Sequence, residues 1–260
     1  MVTGTFISDT QHARIGWLGP SVPSSSHIKK FLNLVPANVD VLYEQLVLHD
    51  GVLNDVQGKL DLIVSRAVQF AENQKLDGLI FPGAPREVLN PSLFKAFSET
   101  LKIPVATALR SSAAALKTVS ARRVLLLTPF DASLNQLIRD FLSQFDIVAT
   151  SPSEILRHYT DAVKMTSGDV IAYARRAIAE QAQVDAIYFQ GAVLDPMDSG
   201  ADGARTSSAR RRQQSGDELV HAVQARTETS ALRLWHTAVF VAGIAGWVLI
   251  RCKRNFWLRS

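Results

Sequence analysis

Cysteine is nearly missing from this chain: Cys252 stands alone in 260 residues. A single thiol excludes an intrachain disulfide and any C-x-x-C metal or redox site. Clustered basic charge is also scarce. The net charge is +4, and much of the excess sits in Arg205, Arg210, Arg211 and Arg212 and in the tail residues Arg251, Lys253 and Arg254. No stacking aromatics or recognisable module accompany it, so no nucleic-acid partner is expected. Residues 1–11 are polar and lack the apolar core of a signal peptide, so a cytoplasmic location is expected. Long apolar runs reduce to one, residues 234–250, LWHTAVFVAGIAGWVLI, with Arg233 before it and the basic tail after it. It is at the short limit for a membrane span and contains His236 and Thr237. A buried core helix is the expected structure there, with a tail anchor as the alternative. Apolar residues make up 47% of the chain, ample for a core, and charged residues an ordinary 20%.

What the chain does have is a repeat. Arg14-Ile15-Gly16-Trp17-Leu18-Gly19-Pro20 and Arg123-Val124-Leu125-Leu126-Leu127-Thr128-Pro129 are apolar runs with the same Arg-to-Pro spacing. Downstream of Pro20, Asp77 opens DGLIFPGA; downstream of Pro129, Asp185 opens DAIYFQGA at almost the same distance. Two copies of one βαβα unit imply two lobes related by a pseudo-twofold axis. The cleft between such lobes is where function is expected. Asp77 and Asp185 precede their strands, away from that cleft, and read as structural.

Short apolar runs alternate with amphipathic stretches, the pattern of a mainly parallel α/β fold. Strands are expected over 14–18, 39–46, 78–81, 105–108, 124–127, 146–149, 186–189 and 221–225. Helices are expected over 53–73, 131–145 and 168–181, where apolar residues recur with a period near 3.6. Asp131 is the expected N-cap of the second. These elements divide the chain into a first lobe over 1–120, a second over 121–244 and an atypical tail over 245–260. Residues 199–216, SGADGARTSSARRRQQSG, have no periodicity and read as an insert in the second lobe.

The pieces RIGWLGPSVPSSS, DGLIFPGAP, ARRVLLLTPFDASLNQLIRDFL, DAIYFQGA and TSALRLWHTAVFVAGI resemble the Asp/Glu racemase superfamily, nearest its arylmalonate decarboxylase and maleate isomerase branch. The resemblance implies two pseudo-symmetric α/β lobes, an active site between them, no cofactor and no metal. It also implies a small carboxylic acid as substrate; separately, a second copy of the chain is a candidate partner. Racemases and isomerases of this kind use one cysteine per lobe, and the decarboxylases keep only the second as a proton donor. A thiol suits that work because nearby backbone N–H groups lower its pKa.

Here the two cysteine positions correspond to Pro82 and Gln190, neither of which exchanges a proton near neutral pH. Gly83 and Ala84 stand where hydroxyl residues usually follow the first. Phe130 stands where the decarboxylases have a tyrosine. The expected substrate contacts are Ser21, Gly83, Ala84, Thr128, Phe130, Gln190 and Gly191. The N–H groups of Gly83, Ala84 and Gly191 would stabilise an enolate-type intermediate. Ser21, Ser24, Ser25 and Ser26 fit carboxylate capture as well as a helix N-cap. No catalytic residue is assigned; His27 is the candidate for a displaced general base. Arg86 and Glu87 read as a solvated helix start, with Arg86 as an alternative partner for an anion. Asn135 reads as a helix-surface or packing residue. Two functions remain: a cofactor-independent racemase, isomerase or decarboxylase with a relocated proton donor, or an inactive homologue that binds a small acid or serves as a scaffold.

Overall fold

The computed structural model describes residues 12–20, 32, 35–48, 56–153, 156, 159–181, 183–191, 193–194, 241–243 and 246–250, the last two segments by backbone alone. The chain divides into two compact units, Met1–Ser111 and Ser112–Ser260.

The first unit runs β1 (Ala13–Gly19), β2 (Val39–Gln45), α1 (Leu60–Gln74), β3 (Gly78–Phe81), α2 (Ala84–Val88), α3 (Leu93–Thr100) and β4 (Val105–Thr107), followed by α4 (Ala108–Thr118), which spans the division in sequence. Its four strands are all parallel, in the order β2-β1-β3-β4. All four residues of β3 are buried, as expected of a parallel strand covered on both faces. Helix α1 lays Ile63, Ala67 and Phe70 into a core that includes Leu18, Leu79, Phe81 and Phe97. It begins seven residues later than its periodicity suggests. Gly58 adopts φ 73°, a left-handed conformation that an α-helix cannot absorb, so Val56 reaches the core from a turn ahead of the helix.

The second unit runs β5 (Arg123–Leu127), α5 (Ala132–Ser143), β6 (Val148–Thr150), α6 (Tyr159–Lys164), α7 (Ser167–Glu180), β7 (Ala186–Gln190), β8 (Val241–Gly243) and β9 (Gly246–Ile250). The order is β6-β5-β7-β9-β8, with β6, β5 and β7 parallel. The first three strands of each unit therefore share one arrangement, the second strand on one side of the first and the third on the other. Asp131 caps α5 by accepting from Leu134 N–H at 2.9 Å. Thr166 and Asp169 form a reciprocal capping box at α7. Asp146, with φ 59°, ends the turn after α5, so β6 starts two residues later than expected.

The expected core helix over 234–250 is overturned in its described part. Residues Val241–Gly243 and Gly246–Ile250 form a hairpin, and β9 lies antiparallel against β7 with Gln190 opposite Gly246 and Ala186 opposite Ile250. Trp247, Val248 and Ile250 are strand-forming types, and β7 offers an open edge of N–H and C=O groups that a strand can satisfy and a helix cannot. The expected strand over 221–225 and the insert over 199–216 lie outside the described residues. Among the described residues, no helix is long and apolar enough to cross a membrane.

The repeat extends to single hydrogen bonds. Asp77 accepts from Arg14 N–H at 2.7 Å and donates its own N–H to Arg14 O at 2.7 Å. Asp185 accepts from Arg123 N–H at 2.9 Å and Arg122 N–H at 3.2 Å, and donates its N–H to Arg123 O at 2.7 Å. Each aspartate clips the start of its own unit's first strand.

Candidate functional site

At the carboxyl end of β3 the chain turns sharply through Pro82 and Gly83. Gly83 takes φ 95°, a conformation that an L side chain rarely adopts. Pro85 in the first turn then fixes the short helix α2 directly on the strand end. Ala84 is fully buried. The turn folds Arg86 back over its own strand. Its guanidinium lies over the Phe81 ring at 5.4 Å and donates through Nη1 to Pro82 O at 3.3 Å. The residue is 4% exposed. Among the described residues no carboxylate pairs with it. Burial alone pushes its pKa down to about 10.

Glu87, 3% exposed, points the other way. Its Oε1 accepts from Arg110 Nε at 2.9 Å, and Arg110 in turn lies 4.0 Å over the Phe94 ring. Glu87 Oε2 and Thr107 Oγ1 are both buried, and the Thr107 hydroxyl neighbours the Glu87 carboxyl, short of full hydrogen-bond geometry. Burial pushes the Glu87 carboxyl up; Thr107 and Arg110 favour its ionised form without cancelling that effect. Thr107 ends β4, so the whole cluster sits at the carboxyl ends of β3 and β4. In open parallel sheets that end is where ligands bind.

These positions correct the expectation of a solvated helix start: Arg86 and Glu87 are interior residues. The clue lay in Pro82 and Pro85 flanking Gly83-Ala84, a pair that forces a turn tight enough to fold the following charges inward. Thr107 and Arg110 carried no comparable signal, because they join Glu87 only through the pairing of β3 with β4.

In the second unit, Gln190 closes β7 and is fully buried, 0% exposed, with neither Oε1 nor Nε2 hydrogen-bonded. Gly191 follows with φ 105°, and a Cβ there would come within 3.0 Å of Pro129 Cδ. Thr128 is buried after β5. Its hydroxyl donates to Asn135 Oδ1 at 2.5 Å and accepts from Phe130 N–H at 3.1 Å, while Asn135 Nδ2 donates to Phe130 O at 3.0 Å. Asn135 is thus a buried brace of the Thr-Pro-Phe turn, the packing alternative rather than the helix-surface one. Phe130 is buried beside Gly191. Within the second unit the structure gathers Thr128, Phe130 and Gly191 at the carboxyl ends of β5 and β7, and within the first unit it places Gly83, Ala84, Arg86 and Glu87 after β3. Ser21, His27 and Cys252 lie outside the described residues. Among the described residues, no group of three or more His, Cys, Asp or Glu side chains could hold a metal ion.

The architecture defines a class first: a two-unit α/β protein whose mainly parallel sheets present glycine turns and buried polar groups at their carboxyl ends. Residues 86–200 match the family model of arylmalonate decarboxylase. Unliganded arylmalonate decarboxylase shares the fold with a TM-score of 0.54 and 19% identity, over 67% of this chain and 76% of that one. The maleate isomerase Iso from Pseudomonas putida S16 follows at 0.52 and 15%, over 68% and 77%. An aspartate racemase homologue from Pyrococcus horikoshii OT3 reaches 0.56 at 14%, over 72% and 89%. No curated protein matches the chain in sequence. The chain therefore resembles the Asp/Glu racemase superfamily, near its arylmalonate decarboxylase and maleate isomerase branch.

Proposed function

We propose that this protein binds a small carboxylic acid at the carboxyl end of β3, on a scaffold otherwise used for cofactor-independent racemisation, isomerisation and decarboxylation. One observation carries the proposal: the Arg86 guanidinium is buried and its described partners are a carbonyl oxygen and an aromatic face. A buried cation without a counter-charge is costly, and a carboxylate suits the planar fork of its N–H donors. The N–H groups of Gly83 and Ala84 are the backbone donors assigned to the same ligand. The thiol chemistry of the relatives has no counterpart at Pro82 or Gln190, so a binding homologue of the family is the primary reading.

Glu87 favours a second reading, in which proton transfer survives with a relocated group. It is the one buried carboxyl among the described residues, and its pKa is raised toward the range useful for general acid–base work. A single experiment separates the two. Small carboxylic acids are incubated with the protein in heavy water, and proton NMR follows deuterium uptake at the α-carbon and loss of carboxylate in the same tubes. Line broadening of an acid without exchange supports binding alone. Exchange that disappears in Glu87→Gln supports the enzyme. Sharp, unchanged spectra across the panel reject both.

A further inference from the structure

Helix α2, which carries Arg86, has five residues, too few to hold its shape unaided. Leu89 N–H donates to Pro85 O at 3.0 Å and Asn90 N–H to Glu87 O at 3.2 Å. The buried Asn90 side chain donates through Nδ2 to Arg86 O and to Val56 O, both at 2.9 Å. Arg86 and Glu87 are consecutive in this closed block, so a shift that moves one moves the other. The Glu87 carboxyl ties the block to the next strand and helix: it accepts from Arg110 Nε at 2.9 Å in α4 and neighbours the Thr107 hydroxyl at the end of β4. Among the described residues, Arg110 is the charged side chain facing that carboxyl. Glu87 is buried, whereas Arg110 is partly exposed, its guanidinium over the Phe94 ring. Without Arg110, Glu87 would be a buried carboxylate lacking a counter-charge, which is costly enough to draw α2 toward water. Without Glu87, Arg110 can turn to solvent at little cost.

We infer that Arg110 is a positioning residue for the Arg86 site: by pairing with Glu87 it keeps α2 seated, and with it the Arg86 guanidinium, without itself touching the acid. This inference rests on the proposal that Arg86 holds a carboxylate.

The probe is difluoroacetate, a small acid that stays ionised throughout, titrated into the full chain and followed by fluorine NMR. Arg110→Met removes the charge and keeps an apolar stem against Phe94. At neutral pH it should bind the probe at least about tenfold more weakly than the native chain. Glu87→Gln keeps an acceptor for Arg110 and should lose no more than about threefold. The double variant leaves no unpaired charge and should match Glu87→Gln, recovering most of what Arg110→Met lost. A pH profile gives the second readout. Burial pushes the Glu87 carboxyl up, opposed by Thr107 and by Arg110, so removing Arg110 pushes it further up. The neutral carboxyl needs no counter-charge, and the loss in Arg110→Met should shrink as pH falls from about 7 to about 5. Circular dichroism verifies folding. If Arg110→Met does not fold, the double variant decides, and a loss of about tenfold or more in it overturns the inference. A double variant as weak as Arg110→Met means that Arg110 binds the acid itself; a loss in Arg110→Met independent of pH means that the Glu87 charge is not the cause. Either overturns the inference and leaves the carboxylate proposal standing. No binding by the native chain, or binding that Arg86→Met leaves unchanged, overturns the carboxylate proposal and the inference together.

Discussion

Arg86 is a buried guanidinium that the fold compensates poorly, as the proposed carboxylate site requires. Its described neighbours supply one carbonyl at 3.3 Å and one aromatic face, which is little compensation for burying a guanidinium. Arg86→Met keeps the length and apolar bulk of the stem and removes the charge. The variant should be as stable as the native chain or more so, by up to about 1–4 kcal/mol, in chemical denaturation. It should also lose at least about tenfold in affinity for any acid the native protein binds, the loss expected for one charge-assisted hydrogen bond. Lower stability together with unchanged affinity would make Arg86 a packing residue. Gln190 gives the complementary test by gain. It is fully buried, with neither amide atom hydrogen-bonded among the described residues, and the resemblance aligns it with the second family cysteine. Gln190→Cys introduces a titratable thiol at the last residue of β7 and should produce α-carbon deuterium exchange above the native level. No exchange in a folded variant would argue that more than the thiol has been lost.

At the scale of elements, legibility followed the range of the forces involved. The buried strands of both sheets showed as apolar runs, and α5 with its Asp131 cap showed as a period and a capping residue, because neighbours in sequence determine both. Boundaries moved where one backbone angle decides, at Gly58 before α1 and Asp146 before β6. Pro82 and Pro85 marked a turn before Arg86 and Glu87, but its inward direction was hidden, since it depends on φ at Gly83. The Asp77 and Asp185 clips lay between these cases: the repeat marked the positions, and only the fold supplied their partners. Asp185 gives a prediction at this scale. Its hydrogen bond with the Arg123 side chain, helped by the Arg123 and Arg122 N–H groups and opposed by partial burial, holds its pKa down at about 2. A carboxyl with a depressed folded pKa contributes stability above its unfolded pKa, near 3.8, and loses it as pH falls through the folded value. Asp185→Asn should therefore cost about 1–2 kcal/mol at neutral pH, discounted for the half-exposed Arg123 side chain. The gap between native and variant should close as pH drops from about 4 to about 2. A gap independent of pH would assign the effect to geometry rather than charge.

At the scale of the whole molecule, the least expected feature is the hairpin that completes the second sheet. The first sheet adds a parallel fourth strand, β4, beside β3; the second sets the antiparallel β9 beside β7. All five residues of β7 are buried, so this strand cannot serve as an edge without exposing apolar surface and a row of unpaired backbone groups. A chain ending at Phe240 removes β8 and β9 and leaves that row open. At a net 0.5–1.5 kcal/mol per hydrogen bond, losing a five-residue antiparallel ladder should destabilise the unit by roughly 2–6 kcal/mol. The exposed edge should also recruit other copies, so light scattering should rise with concentration below the unfolding temperature. The same truncation opens one side of Gln190, whose backbone faces Gly246 in the ladder. If the shortened chain keeps its unfolding midpoint and stays monodisperse, the hairpin is an accessory and β7 is protected by another segment. If it loses both, the apolar run over 234–250 has a structural purpose in the second sheet, and a membrane is not needed to explain its hydrophobicity.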